Sequence, residues 1–317
     1  MKSKKRGKVG LALSGGTVAG FSHIGILEAF DKHDIKISHI AGTSMGAIIG
    51  AFYAAGIKPK EIKKIALETN YIDLLDFTLP REGLLIGKKF GDFVKGVIGN
   101  KNFSDLNIPL AITATDLKSN KNIIFDKGNV VEAIRASISL PGIFVPHKYK
   151  NMELVDGGFT EPIPINAVRK LGAKKVIAVY TSIKPSIRIK DHYGVSGEEF
   201  RESFIEQELK NFKKYLNKKI KIPKILLKII KPYRVENLLM NHKLGLPKIT
   251  TIGYDAFFIT HRQFSKMVIE KEKPDLVLMP KFRNMGFLDF SKVGYAIHRG
   301  EVEAKENIRK VINLAKK

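Results

Sequence analysis

Gly42-Thr43-Ser44-Met45-Gly46 is the stretch whose reading decides the fold. Upstream, Ile35-Lys36-Ile37-Ser38-His39-Ile40-Ala41 is short and rich in β-branched residues, which predicts a strand. Downstream, Ala47 to Ala55 is small and apolar and stops at Gly56, which predicts a buried helix. A serine between two glycines at a strand-to-helix turn is the nucleophile-elbow pattern G-x-S-x-G. Gly42 and Gly46 tolerate the cramped backbone that lifts Ser44 out at the end of a sheet. A helix N-terminus beside Ser44 favours developing negative charge. The five-letter pattern alone is weak, and its weight comes from the elements on either side.

Outward from that turn, Val9 to Leu13 predicts a buried strand followed by the glycine-rich loop Ser14-Gly15-Gly16-Thr17-Val18-Ala19-Gly20. The dinucleotide spacing G-x-G-x-x-G is absent, and no acidic residue ends the second strand to hold a ribose. The loop reads instead as an oxyanion hole, with the N–H groups of Gly15 and Gly16 facing the oxygen that turns negative, or as a plain tight turn. Lys58 to Leu75 reads as helical, Gly87 to Ile98 as a mobile surface helix, Pro109 to Thr115 as a strand paired beside Lys121 to Phe125, and Val130 to Ile138 as a helix. A short strand then delivers Asp156 into a Gly157-Gly158 turn. A helix running to Leu171 and a strand over Lys175 to Tyr180 complete an α/β pattern: a mostly parallel central sheet with helices on both faces.

The chain has 317 residues, 44% of them hydrophobic, enough for one large α/β domain with an appendage. Residues 1–8 read as a basic disordered tip, 9–182 as the catalytic domain and 183–317 as a helical, basic C-terminal extension. That extension holds a Lys-rich amphipathic segment at about 200–233, one further strand at about 275–279 and a terminal helix, packed on the same domain. No run approaches the roughly 20 apolar residues of a membrane span, and no signal peptide is legible, so the expected location is the cytoplasm or the inner membrane face. Zero cysteines exclude disulfides, thiolate catalysis and cysteine-ligated zinc. No metal-ligand cluster is legible, so neither metal nor cofactor is expected. The net charge of +24 seeks anions. The Lys-rich segment suits an anionic membrane surface, whereas it lacks the aromatic platform of a nucleic-acid binder, which is not expected.

A serine nucleophile needs a base. Ser44 and Asp156 with His261 or His298 give the Ser–Asp–His order, but only one strand precedes this elbow, which argues against that arrangement. The glycine-rich loop, the early elbow, Arg135-Ala136-Ser137-Ile138-Ser139-Leu140-Pro141-Gly142 and Asp156-Gly157-Gly158 together resemble the patatin-like phospholipases over roughly Val9 to Tyr180. The resemblance implies a Ser44–Asp156 dyad, an acyl-enzyme hydrolysed by water, and lipid acyl esters as substrates. The motif glycines are Gly20, Gly42, Gly46, Gly157 and Gly158, and the oxyanion donors Gly15 and Gly16. The loop departs from the family's G-G-G-x-[RK]-G: Thr17 stands for a glycine and Ala19 for the basic residue. Two alternatives stay open: a catalytically weak lipid-binding protein, and a Ser-His-Asp esterase.

Overall fold

A computed structural model describes residues 9–76, 78, 82–181, 248–283 and 285–316. The Lys-rich segment at about 200–233 lies outside the described residues. The chain divides into two units, Met1–Ile183 with Thr260–Lys317, and Lys184–Ile259.

The first unit is built outward from β1 (Val9–Leu13), which pairs in parallel with β2 (Ile37–Thr43) on one side and β7 (Lys175–Val179) on the other. β3 (Leu110–Asp116) extends the sheet beyond β2, and β8 (Leu276–Leu278) extends it beyond β7, both in parallel. The order is β5-β6-β3-β2-β1-β7-β8, with β4 (Lys121–Phe125) also on β3. β4, β5 (His147–Tyr149) and β6 (Met152–Asp156) pair antiparallel at that end. The connections from β1 run one way through β2 and β3, and those of β7 and β8 run the other way. β1 is therefore the switch strand, and open α/β sheets place their binding crevice outside the carboxyl end of such a strand.

The two faces of the sheet differ because strand side chains alternate. Register places Ala111, Ala41, Ala12 and Ala178 in one row. That alanine row admits Ile165 and Val168 of α6 (Ile165–Lys170) close to the sheet. Gly10 belongs to the same face: a Cβ there would lie 2.5 Å from the Ala173 Cβ and 2.9 Å from a Val168 methyl. The opposite face presents Leu11, Leu13, Ile40, Ile112, Ile177 and Val179 to the larger core. That core is roofed by α1 (Ser22–Lys32), α2 (Met45–Ala54), α5 (Val130–Ser137) and α8 (Val293–Lys316). Burial at about 25 cal/mol per Å² of apolar surface makes this core the main stabilising term.

The sheet and its covering helices fit the expected α/β class. One predicted helix is shorter than its pattern. α3 (Pro59–Glu68) stops where Thr69 turns extended, and a 3-10 turn, Tyr71–Leu74, follows. The Thr69 hydroxyl donates to the Ile65 carbonyl (2.6 Å) and the Tyr71 hydroxyl to that of Ala66 (2.8 Å), so side chains satisfy the last turn's carbonyls. α4 (Lys88–Ile98) and α7 (Lys248–Glu272) complete the helices used below. No helix among the described residues is long and apolar enough to cross a membrane.

Candidate active site

Ser44 is the hinge between β2 and α2, with φ 53° and ψ −122°, a backbone state that side-chain-bearing residues avoid. Both neighbouring glycines are needed to reach it. A Cβ on Gly42 would strike the Gly46 carbonyl, and one on Gly46 would strike that of Leu13 at the end of β1. The strained turn is tied from outside, because the Ser44 N–H donates to Ser137 Oγ at 2.8 Å. Strain of this kind amounts to about 1–3 kcal/mol and persists only where the surroundings over-determine it.

The loop after β1 lies directly against this turn, with a Gly15 Cβ placed 3.2 Å from that of Ser44. Its carbonyls are pinned. The Ser14 carbonyl meets His23 Nε2 at 2.9 Å, while the Gly15 carbonyl accepts from Ser14 Oγ (3.0 Å) and from Thr181 Oγ1. Thr181 N–H in turn donates to Ser14 Oγ at 2.9 Å. Gly16 (φ 143°) and Thr17 (φ 46°) then turn through left-handed backbone. With the carbonyls held, the N–H groups of Gly15, Gly16 and Thr17 have no hydrogen-bond partner among the described residues. Such unpaired donors beside a serine form an anion-binding concavity. Gly20 completes the loop by leaving room for Met45, whose Cγ would lie 2.5 Å from a Cβ there. Ala19 is buried in the core.

His23 is fully buried, and burial pulls its pKa down to about 4, so it is neutral near pH 7. A carbonyl only accepts, so Nε2 carries the proton and Nδ1 is left without a partner.

Asp156 closes the site from the other side. β6 runs antiparallel to β3 and meets only its last three residues, so its final residue reaches the carboxyl edge of the parallel strands. Gly158 N–H donates to Asp156 Oδ1 (2.8 Å), the Asp156 N–H donates to the Ser139 carbonyl (3.0 Å), and the Thr115 hydroxyl donates to the Asp156 carbonyl (3.0 Å). The residue is 6% exposed, and burial raises its carboxyl to about pKa 6 against the opposing pull of Gly158 N–H and the Ser44 hydroxyl. Gly157 is glycine because a Cβ would collide with Thr113.

The structure thus brings Ser44, Asp156, Gly15 and Gly16 together. One segment secures both sides, since Ser137 holds the Ser44 amide and Ser139 the Asp156 amide. Arg135 braces that segment: its guanidinium donates to Ser139 Oγ (2.6 Å) and to the Ile86 and Val145 carbonyls, and lies 5.3 Å from the centre of the Phe144 ring. Burial lowers its pKa to about 10, which leaves it charged. Ser137, Ser139, Ser14, His23 and Thr181 carry no role in the sequence reading. The first two had a signal in the Arg135–Gly142 motif, whereas Thr181 meets the loop across 166 residues and leaves no local pattern.

The two candidate histidines separate. His298 is exposed on α8 within 3.8 Å of Glu301. His261 lies beside the Asp156 turn, its Nε2 3.3 Å from where a Gly158 Cβ would stand, and burial lowers its pKa to about 4.

Residues 11–169 match the family described as Patatin-like phospholipase. An uncharacterized NTE family protein of Mycobacterium tuberculosis is 36% identical over 174 residues, 54% of this chain and 48% of that protein. Lysophospholipase NTE1 of Debaryomyces hansenii is 33% identical over 177 residues, 54% of this chain and 12% of that protein. Lysophospholipase NTE1 of Candida albicans is 31% identical over 177 residues, or 13% of its length. The chain therefore spans about half the length of the mycobacterial relative and a small part of the yeast ones. Among solved structures, VipD from Legionella pneumophila superposes with a TM-score of 0.53 at 12% identity, over 96% of this chain and 67% of that one, a likeness of fold. A strand–turn–helix serine on a sheet with this switch point belongs to a known class. This chain is a member of the patatin-like phospholipase family.

Proposed function

We propose that the chain is a lipid acyl hydrolase that cleaves fatty-acyl esters of phospholipids or lysophospholipids through Ser44 and Asp156. The carrying observation is a strained serine whose hydroxyl faces a buried carboxyl with a pKa near 6, beside three unpaired backbone donors. As Ser44 Oγ attacks the ester carbonyl, Asp156 takes its proton, and the carbonyl oxygen becomes an oxyanion held by the Gly15 and Gly16 N–H groups. Collapse expels the alcohol, which receives the proton from Asp156. Water then attacks the acyl-serine, Asp156 accepts its proton, and the fatty acid leaves as Ser44 is regenerated. The name of the yeast relatives, lysophospholipase, supports the substrate class. The Lys-rich stretch near 200–233 docks the protein peripherally on anionic membrane.

Purified protein incubated with a mixed lipid extract should release fatty acid, and a fluorophosphonate should label Ser44. Ser44→Ala should abolish both, and Asp156→Asn should abolish hydrolysis. A folded wild type that neither labels nor hydrolyses favours the lipid-binding alternative, which the threonine and alanine at 17 and 19 suggest. Loss of activity in His261→Ala, with Asp156→Asn still active, replaces the dyad by a histidine base.

A further inference from the structure

Burial alternates along residues 82–87: Gly83, Leu85 and Gly87 are buried, while Glu82, Leu84 and Ile86 face outward. Leu84 is 46% exposed and Ile86 45%. The outer face of such an extended segment is ordinarily polar. Beside it run residues 140–146, Leu-Pro-Gly-Ile-Phe-Val-Pro, with no polar side chain and none of them buried. The two segments are joined. The Leu84 and Leu85 N–H groups donate to the Ile143 carbonyl (3.0 and 2.8 Å), and the Val145 N–H donates to that of Leu85 (2.9 Å). On the other flank the Ile86 N–H donates to the Asp76 carbonyl and the Thr78 N–H to the Leu84 carbonyl, both at 2.9 Å. The outward apolar side chains therefore stand on a fixed backbone. They are tied to the site as well. Leu140 follows Ser139, whose carbonyl holds the Asp156 amide, and Ser137 two residues earlier holds the Ser44 amide. Arg135 links the two segments, donating to the Ile86 carbonyl on one and the Val145 carbonyl on the other.

The chemistry of this patch selects its partner. Its amides at Leu84, Leu85, Ile86 and Val145 are already paired, so they offer nothing to an added strand. It has no polar side chain to supply the roughly one hydrogen bond per 100–200 Å² of a protein interface. The hydrocarbon region of a bilayer asks for none. The rim is basic. Lys88 and Lys89 open α4 directly after Ile86-Gly87, Lys148 and Lys150 follow Pro146, and all four are exposed. Against them stand exposed Glu82, Glu132 paired with His147 at 3.0 Å, and Asp76, whose carboxylate accepts from the Gly87 and Lys89 N–H groups. An apolar centre with lysines around it complements a bilayer's acyl region and its anionic headgroups in turn.

We propose that Leu84, Ile86 and residues 140–146 form a membrane-insertion patch that seats in an anionic bilayer and holds Ser44 at the lipid surface. The inference rests on the acyl-hydrolase reading and deepens it with a surface separate from the Lys-rich stretch near 200–233. The chain has no tryptophan, so one introduced indole reports alone. Leu84→Trp is placed in the full chain carrying Ser44→Ala and mixed with vesicles of equal parts phosphatidylcholine and phosphatidylglycerol. Its emission should shift to the blue and be quenched by phospholipid brominated along the acyl chain. Leu67→Trp, at a 53% exposed position on α3, should do neither. In the active chain, Leu84→Gln with Ile86→Thr should lower vesicle co-sedimentation and hydrolysis of vesicle lysophospholipid by about tenfold or more, the effect of leaving two half-exposed side chains uninserted. Hydrolysis of p-nitrophenyl butyrate should hold, and thermal melts verify folding. Protein that stays in the supernatant, or an indole that neither shifts nor quenches on sedimented protein, overturns the proposal. So does an indole already blue-shifted without vesicles, which assigns the patch to cover by the chain itself or, where sedimentation velocity shows a dimer, by a second copy. Absence of any ester hydrolysis sinks the acyl-hydrolase reading instead, and the fluorescence still decides the patch.

Discussion

At the residue scale, the site is stabilised against its own chemistry. Asp156 has a folded pKa near 6 against an ordinary 3.8, so the folded state holds this proton more tightly than the unfolded chain does. That contribution to stability is complete below about pH 4 and is lost as pH rises through about 6. Near pH 7 the buried charge costs on the order of 3 kcal/mol, at 1.36 kcal/mol per unit. Asp156→Asn, which keeps an oxygen for the Gly158 N–H, should therefore be inactive yet more stable than wild type at about pH 8, the gap closing below about pH 4. Thermal melts across that range check it, and a constant gap would remove burial as the cause. The same sign gives the activity profile: ester hydrolysis should fall as pH drops through about 6, where the base takes up a proton.

Ser137→Ala leaves the Ser44 amide unpaired. It should lower kcat by about tenfold with little change in KM and cost about 1–2 kcal/mol of stability, while Ser137→Thr restores both. Thr17 holds the backbone the family reserves for glycine, so Thr17→Gly should stabilise by about 1 kcal/mol in urea titration. That departure was legible as a letter out of place. Its left-handed φ was not, because a substitution in a motif says nothing of the turn it must obey. Nor was the hydrogen bond from Ser44 to Ser137, which spans 93 residues.

At the element scale, strand and helix existence followed from periodicity, while direction and close approach did not. The short stretch that predicts β6 reads the same for either direction, and only pairing with the end of β3 makes it antiparallel. The three residues of β5 are too few to show a period. The crossing of α1 and α8 makes the point most sharply. A Cβ on Gly300 would strike the Ser22 carbonyl, and one on Gly25 would strike that of Ile297, so two glycines far apart in sequence let two backbones touch. Each alone reads as a weak spot in an amphipathic helix. Gly300→Val should push the helices apart and lower stability by about 3 kcal/mol or more, seen as a lower urea midpoint at constant m-value. An unchanged midpoint would mean that the helices do not meet there.

At the scale of the whole molecule, chemistry and docking separate by their response to salt. The proposed Ser44–Asp156 pair, with Asp156 buried and Ser44 half-buried, acts over a few ångströms, where salt screens little. The net charge of +24 acts at the surface, and each Lys or Arg near an anionic bilayer is worth about 1 kcal/mol before screening. Raising ionic strength from about 0.1 M to 1 M shrinks the screening length from about 10 Å to 3 Å. Over that range hydrolysis of lysophospholipid in anionic vesicles should fall steeply, together with vesicle co-sedimentation, while hydrolysis of dissolved p-nitrophenyl butyrate holds nearly constant. Neutral vesicles should bind weakly at both salts. Equal sedimentation with anionic and neutral vesicles would assign the charge to another anion. Tight duplex or single-strand retention on filters at physiological salt would identify that anion as nucleic acid. A parallel fall on the soluble ester would place the salt effect in the site rather than in docking.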